Sequence, residues 1–419
     1  MQRLLFTKQS PGICFLIEDF YPIIHGASTQ IIKNGVKLIE RGARVSVITR
    51  KISPDHLSFE NLDGIEVYRV PPPIGLHRIG KYLMMVPSLI ELVRHRKDID
   101  SIIVCDLKVL GILGVFAAKI LGKSCILNAV SCGEIDGSFA TQFGQSSSWW
   151  RMLLVRYLTS FRNKFLSFAD GFVGVSGSIT KEFLHAGFPK QAVFEIHNGI
   201  EMDKVLTVDE GERNRLRTHL GFPEKRCFVY TGRLVKGKGL EYLLRVWSNL
   251  VKEFTDIHLI LIGSGQGYSL SCEEELQEFI QVNQLALSVS ITGAIYNVYD
   301  YLAMANFFVF PSETEGCPMS LLEALAFGLP SIATEIDGIT DIVQNGQNGI
   351  LVPYGDEASL FAAMKDMLNN PEKAERLGNA GRHIISDKFS LDVIVDRYVH
   401  LINSVTHRRP VVGDGANVL

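Results

Sequence analysis

Over the first half of the chain, short continuous runs of apolar side chains, many of them β-branched, alternate with longer stretches. In those stretches apolar residues return every three or four positions. The runs cover residues 13–17, 45–49, 65–70, 101–105, 125–130, 171–175 and 193–196. A stretch such as 29–40, with Ile31, Ile32, Val36, Leu38 and Ile39 at helical spacing, reads as an amphipathic helix. Strands apolar at every position suit a parallel sheet covered on both faces, whereas strict alternation suits a sheet with one wet face. The series restarts at 227–231 and continues through 257–262, 289–292, 307–310, 331–333 and 349–352. Between the two series, residues 198–224 are polar and carry the turn signals Asn198-Gly199 and Gly221-Phe222-Pro223. The pattern predicts two doubly wound, Rossmann-like α/β domains over 1–205 and 206–389, whose ligands bind beyond the carboxyl ends of the strands. A helix over 390–406 is expected to return to the first domain. The tail 407–419, rich in Arg, Pro, Gly and Asp, is expected to be disordered.

Composition narrows the class. With 419 residues, 47% of them apolar and 21% charged, the chain is an ordinary globular one that can bury a large core without staples. Seven cysteines, odd in number and without a C-x-x-C pair, disfavour a disulfide framework or a zinc ribbon and fit a reducing cytosol. The opening Met1-Gln2-Arg3 starts no signal peptide, since Lys8 and Glu18 break the apolar runs. The longest apolar stretch, 109–121, is too short to span a bilayer and contains Lys119. The expectation is therefore a cytoplasmic chain with no spanning helix. The net charge of −3 divides unevenly: residues 1–200 carry +7 and residues 201–419 carry −10. Such asymmetry points to two domains with different partners, or to drift on solvated faces.

Two motifs carry chemistry. Glu315-Gly316-Cys317-Pro318-Met319-Ser320-Leu321-Leu322-Glu323 follows the run 307–310. Pro318 is expected in the first helical turn, where its missing N–H is not needed. The N–H groups from Gly316 to Ser320 would then form an anion site at the positive end of a helix. Glu315 and Glu323 would flank it and accept hydrogen bonds from sugar hydroxyls. The plain alternative is a helix with an ordinary acidic first turn. The second motif, Thr231-Gly232-Arg233-Leu234-Val235-Lys236-Gly237-Lys238-Gly239, follows the first strand of the second domain. Its glycines let the backbone approach a ligand, and Arg233 and Lys238 supply positive charge for phosphate. It lacks the G-x-x-x-x-G-K-[ST] spacing of a Walker A loop, and a solvated basic turn is its plain reading.

Together the motifs resemble those of the retaining glycosyltransferases of family 4, which have the GT-B fold: two Rossmann-like domains facing a central cleft. Phe20-Tyr21-Pro22 through Gly26 resembles the family's glycine loop, and Val175-Ser176 and Asn198-Gly199-Ile200-Glu201 resemble two further stretches. Gly263-Ser264-Gly265, Pro311-Ser312, Asp337-Gly338 and Asn348-Gly349-Ile350-Leu351-Val352 follow in the family's order. The resemblance implies transfer of a sugar from a nucleotide-sugar donor to the hydroxyl of a glycan or lipid-linked acceptor. It implies no cofactor or metal, the nucleotide-diphosphate sugar being a co-substrate, and no nucleic-acid partner. The product would be a surface polysaccharide or glycolipid. Alternatives are a soluble synthase acting on a small acceptor or glucan, and a degenerate GT-B scaffold. By motif match, Arg233 and Lys238 would neutralise the diphosphate with help from the backbone of Gly263, Gly316, Cys317, Pro318, Met319 and Ser320. Glu323 would take the ribose, Glu315 would position the donor sugar, and Gly26 would let the first-domain loop approach the donor.

The sequence departs from the family pattern in places. The usual glycine pair of the first loop reads His25-Gly26, and the usual His after 125–130 is absent. In its place stands Ser131-Cys132-Gly133-Glu134-Ile135-Asp136, where Glu134 could accept a hydrogen bond from an acceptor hydroxyl or serve as a turn residue. Asp98-Ile99-Asp100 reads as a solvated loop at the amino end of a strand, not as a metal motif. Gly263-Ser264-Gly265-Gln266-Gly267 lacks the dinucleotide spacing. Two basic segments remain. Residues 75–97 mix His77, Arg78, Lys81, Arg94, Arg96 and Lys97 with apolar residues. Residues 149–168 hold Trp149, Trp150, Leu153, Leu154, Leu158, Phe161, Phe165 and Leu166 with Arg151, Arg156, Arg162 and Lys164 and no acid. Such helices suit an anionic membrane interface at the inner leaflet, or pack normally with a basic outer face.

Overall fold

A computed structural model of the chain describes residues 4–23, 26–73, 80–138, 149–206, 208–223, 225–268 and 270–407, with 149–154 and 407 described in backbone only. His25, His77, Arg78, the tail 408–419 and the side chains of Trp149, Trp150, Arg151, Leu153 and Leu154 lie outside the described residues. The strands in chain order are β1 (Gly12–Leu16), β2 (Arg44–Arg50), β3 (Phe59–Leu62), β4 (Ile65–Val70), β5 (Ser101–Val104), β6 (Ser124–Ala129), β7 (Gly171–Gly174) and β8 (Val193–Glu195). They are followed by β9 (Arg226–Thr231), β10 (Ile257–Ile262), β11 (Val289–Gly293), β12 (Phe307–Phe310), β13 (Ser331–Thr334) and β14 (Ile350–Val352). The helices begin with α1 (Gly26–Glu40), α2 (Gly80–Leu83), α3 (Met85–Arg94), α4 (Leu110–Leu121), α5 (Trp149–Leu166) and α6 (Gly177–His185). Then come α7 (Glu210–His219), α8 (Leu240–Leu250), α9 (Glu273–Val282), α10 (Val298–Met304), α11 (Met319–Ala326), α12 (Glu357–Asn369), α13 (Pro371–Ile384) and α14 (Leu391–His407).

The chain folds as two compact units, 1–197 with 391–419, and 198–390. The division falls after His197 and not after 205. Asn198 and Ile200 bond inside the second unit, the Asn198 Nδ2 donating to Cys317 O at 2.8 Å and the Ile200 N–H to Phe389 O at 2.9 Å.

In the first unit, eight strands run in the order β3-β4-β2-β1-β5-β6-β7-β8. Every pairing is parallel except that of β3 with β4, which is antiparallel. The edge strand β3 was not expected, because its sequence Phe-Glu-Asn-Leu is partly exposed and never forms an apolar run. The inner strands are buried at almost every position, as their continuous apolar sequences require. Helix α14 packs against α1 and buries Leu391, Ile394, Val395, Tyr398, Val399 and Ile402 in the core with Phe15, Val47 and Val173. Each such side chain contributes about 1.5–3 kcal/mol on burial. Arg41 adds ion pairs to Asp392 at 2.9 Å and Asp396 at 3.1 Å.

In the second unit, six parallel strands run in the order β11-β10-β9-β12-β13-β14. The rings of Phe228 and Phe307 stack at 4.5 Å and Trp247 meets Phe228 edge-on at 5.7 Å. The Trp247 indole N–H donates to Ser288 Oγ at 3.2 Å, so the one polar atom of this core side chain is satisfied.

Candidate active site

The order of the second sheet creates the site. From β9 the chain winds outward to β10 and β11, then returns to β12 on the other side of β9 and winds away again. The carboxyl ends of β9 and β12 therefore flank a topological switch point, where open α/β sheets bind ligands. Both sequence motifs occupy the loops that leave those two ends.

The loops are locked by backbone contact. Gly239 has φ +68°, and a Cβ there would sit 1.9 Å from Pro311 O, so only glycine lets the β9 loop meet the β12 loop. A Cβ on Gly263 would lie 1.8 Å from Gly232 O, which joins the β10 loop to the same block. Glu273 ties that loop down, accepting from the Gly265 N–H at 2.7 Å and from Ser264 Oγ at 2.8 Å.

Within this frame Lys238 Nζ donates to Glu315 Oε1 at 2.5 Å, with both side chains largely buried. The residues expected to bind diphosphate and sugar thus meet as an ion pair. An ammonium has three donors, so the contact leaves further N–H groups for a ligand. Arg233 is exposed and its guanidinium lies 5.1 Å over the ring of Tyr268. Its backbone oxygen accepts from the buried Tyr230 hydroxyl at 3.2 Å, and burial raises that phenol far above its ordinary range.

Pro318 caps α11 with extended backbone and is not part of its first turn. Helical geometry begins at Met319, and the Leu322 N–H makes the first bond back, to Pro318 O at 3.2 Å. Pro318 itself has no N–H, so the helix donors without intrahelical partners start at Met319 and Ser320. Cys317 is buried, burial pushing its thiol up to about 12, which makes it a packing residue and not a nucleophile. Glu323, on α11, accepts from the Tyr299 hydroxyl at 3.4 Å. Burial, with Glu323 and Glu201 close by, raises the Tyr299 phenol. Glu201 is paired with Lys204 at 2.9 Å. The motif Asn198-Gly199-Ile200-Glu201 does not by itself tell from the sequence where Asn198 and Glu201 sit. Tyr268, Tyr299 and Glu273 carried no local signal, since their spacing to the motifs arises only in the folded unit.

In the first unit, Gly26 opens α1 after the loop that leaves β1. Glu134 lies in the turn after β6, nine-tenths buried, and its Oε2 has no hydrogen-bond partner. Burial, then the charge of Asp106, pushes its carboxyl up to about 8, and Lys108 and Arg162 only partly offset this. At neutral pH the group is therefore mostly a neutral acid, able to donate a hydrogen bond as well as accept one. It is neither an exposed turn residue nor a simple anionic acceptor. Arg162 Nη2 donates to Glu134 O at 2.7 Å, Ile135 O at 3.2 Å and Asn163 Oδ1 at 2.9 Å. Asp98 and Asp100 stand at the amino ends of β1 and β5. Asp98 pairs with Arg44 at 2.7 Å, while Asp100 pairs with Lys8 at 2.6 Å and accepts from the Gly12 N–H at 2.8 Å. Asp100 is thus a structural clamp, more than a solvated loop residue. Among the described residues no three His, Cys, Asp or Glu side chains converge to hold a metal ion.

Known proteins match this architecture. The profile described as Glycosyltransferase Family 4 matches residues 24–204, and that described as Glycosyl transferases group 1 matches residues 225–370. The capsular polysaccharide biosynthesis glycosyltransferase CapM of Staphylococcus aureus is 25% identical over 243 residues, 56% of this chain and 62% of its own length. The N-acetyl-alpha-D-glucosaminyl L-malate synthase of Bacillus anthracis is 23% identical over 393 residues, 90% of this chain and 93% of its own. An uncharacterised glycosyltransferase of Haemophilus influenzae matches over 48% of its length, so the chain spans about half to two thirds of several relatives. Among solved structures, the sucrose-phosphate synthase of Thermosynechococcus elongatus superposes with a TM-score of 0.79 at 21% identity, covering 96% of this chain and 100% of that one. Anabaena HepE in complex with UDP superposes with a TM-score of 0.73 at 19% identity, covering 94% and 100%. With one family profile on each unit, and two parallel sheets of the kind those solved structures share, the chain belongs to the family 4, group 1 glycosyltransferases and has the GT-B fold.

Proposed function

We propose that the chain is a retaining, metal-independent glycosyltransferase with no resident cofactor, moving a sugar from a nucleoside-diphosphate donor to a hydroxyl of a glycan or lipid-linked acceptor. The donor occupies the β9/β12 crevice of the second unit, and the product is a surface polysaccharide or glycolipid made at the cytoplasmic face of a membrane. The observation that carries the donor site is the Lys238–Glu315 pair at the switch point, beside Arg233 and the start of α11. As the glycosidic bond to the diphosphate breaks, negative charge grows on the leaving phosphate oxygens. Arg233 and Lys238 are fixed cations that meet that charge, and the first N–H groups of α11 add their dipoles. Glu315 holds Lys238 in place and, beside it in the crevice, is positioned to orient the sugar. Glu323, steadied by Tyr299, is placed to take the ribose hydroxyls. On the acceptor side Glu134 can both donate to and accept from a hydroxyl. The bound UDP of HepE supports a nucleotide ligand for this fold.

Nucleotide release measured across a panel of nucleotide-sugars, with and without EDTA, tests the reading, together with NMR of the product anomer. Inversion at the anomeric carbon, or activity abolished by EDTA and restored by manganese, overturns the corresponding part. No nucleotide release from any donor leaves a degenerate scaffold as the better reading. A soluble synthase acting on a small acceptor is favoured by one observation. The malate-directed synthase matches 90% of this chain, whereas CapM matches 56%. Turnover with hydroxy acids or free sugars, and none with lipid-linked acceptors, would decide for it.

A further inference from the structure

We propose that the outer surface of the α3–α4–α5 helix layer of the first unit docks on an anionic lipid bilayer, with α4 at its centre. Helix α4 packs against α3 on one side and α5 on the other, so the three form one continuous layer. Their inward positions are filled in the usual way, with Leu92, Leu113 and Leu166 buried. Many of the outward positions are apolar as well. On α3 the exposed side chains at i, i+4 and i+7 are Val86, Ile90 and Val93, and on α4 those at i, i+4 and i+8 are Ile112, Phe116 and Ile120. On α5 the row continues with Tyr157, at 71% exposure, Leu158 and Phe161, at 70%. Scattered apolar residues on a surface are ordinary, but three aligned stripes on adjacent helices form a patch of the kind that marks an interaction site.

The charges say what covers it. Helices α2 to α5 contain seven Lys or Arg and a single acid, Glu91, which is already paired with Arg94 at 2.7 Å. Exposed Arg94, Lys119, Arg156 and Lys164 border the apolar stripes. An apolar face edged by cations fits the headgroup region of an anionic bilayer, where the stripes reach the acyl boundary and the cations meet phosphates. A second copy of the same face would instead bring like charges together. No helix among the described residues is long and apolar enough to cross a membrane, so the contact is one of lying on the surface. Helix α4 starts only four residues after Asp106, one of the charges around Glu134. The surface thus lies next to the acceptor side of the transfer reading, which it deepens by making the acceptor a membrane lipid. Its test reads vesicle binding, with nucleotide release only as the control that separates the two readings.

Cosedimentation with vesicles of phosphatidylcholine and phosphatidylserine in equal parts, and of phosphatidylcholine alone, reads the binding directly. The full chain should bind the mixed vesicles, and less so at high salt. The triple variant Ile112→Ser, Phe116→Ser, Ile120→Ser should lower the partition about tenfold or more. The variant Arg156→Glu, Lys164→Glu should abolish the preference for phosphatidylserine while melting with the parent. Absence of vesicle binding by the parent, or binding that neither variant alters, overturns the proposal. So does a parent dimer in light scattering that the triple variant dissolves, since the face would then join two copies. Loss of vesicle binding in the variants with donor-dependent nucleotide release intact would separate this proposal from the catalytic one.

Discussion

Glu134→Gln gives the sharpest test of the first unit's electrostatics. The carboxyl has an ordinary value of 4.5, which burial and Asp106 raise to about 8 in the folded state. Its surroundings are mixed: Asp106 and Glu182 raise it, while Lys108 and Arg162 lower it. Because the folded-state value lies above the unfolded one, the folded protein holds the proton more tightly. The contribution to stability is intact below about pH 4.5 and is lost progressively as pH rises to about 8, after which it levels off. At about 1.36 kcal/mol per pH unit, the full window amounts to about 5 kcal/mol, and the interval from pH 6 to pH 8 to about 2 kcal/mol. Glutamine keeps the shape of the neutral acid and cannot ionise. Urea unfolding of parent and variant at pH 6 and pH 8, at fixed salt, should therefore show the parent losing about 2 kcal/mol more than the variant over that interval. The variant should be at least as stable as the parent at pH 8. Parallel pH dependences would refute the reasoning, since they require that Glu134 ionises freely in the folded state. Because glutamine also donates and accepts, Glu134→Gln should keep most of the turnover at pH 7, whereas Glu134→Ala should lose it, and unchanged turnover in Glu134→Ala would remove Glu134 from the acceptor role.

Four further outcomes are expected. Lys238→Met should lower kcat by about 10²–10³ through the lost phosphate contact, measured as nucleotide release at saturating donor. It should also destabilise the second unit by stranding the largely buried Glu315, and adding Glu315→Gln should restore melting but not activity. Gly239→Ala should cost about 2–4 kcal/mol in chemical unfolding, because the residue has positive φ and its Cβ would collide with Pro311 O. A chain ending at Ser390 should fail to give a cooperative transition for the first unit, since α14 supplies core residues from Leu391 to Ile402. Removing the Asp100 clamp with Asp100→Ala should lower stability without changing the metal requirement of the reaction, measured by melting and by turnover with and without manganese.

Much of the fold could be read from periodicity because this molecule obeys the rule that makes periodicity informative. Most inner strands are buried on both faces and appear as nearly unbroken apolar runs, with Glu66 of β4 an exposed exception, and β4, β10 and β12 begin and end where the runs do. β3 escaped because an edge strand with one partner has no need of such a run. Glycine positions and the two charged loops outlined the candidate site, since close backbone approach leaves a trace in the sequence. The state of the site left none. That Lys238 would bind Glu315, that Pro318 would cap α11 instead of entering it, and that Glu134 would be a neutral acid all depend on distances across the fold. The two basic segments were visible as composition. The α4 stripe between them was hidden in a stretch whose uniform hydrophobicity gave no hint of which side faced outward.

The first unit is discontinuous in sequence: the whole of 198–390 lies between its sheet and the helix α14 that completes its core. During synthesis the second unit therefore leaves the ribosome entire while the first still lacks Leu391, Tyr398 and Ile402. At elongation rates of about 5–20 residues per second, the eight-stranded sheet must wait on the order of ten seconds with one surface uncovered. The nascent chain thus leaves the core positions that α14 covers exposed for longest in the half that is made first. A chaperone binding to the emerging chain would be expected to grip the α1 side of that sheet and to release it only once α14 arrives.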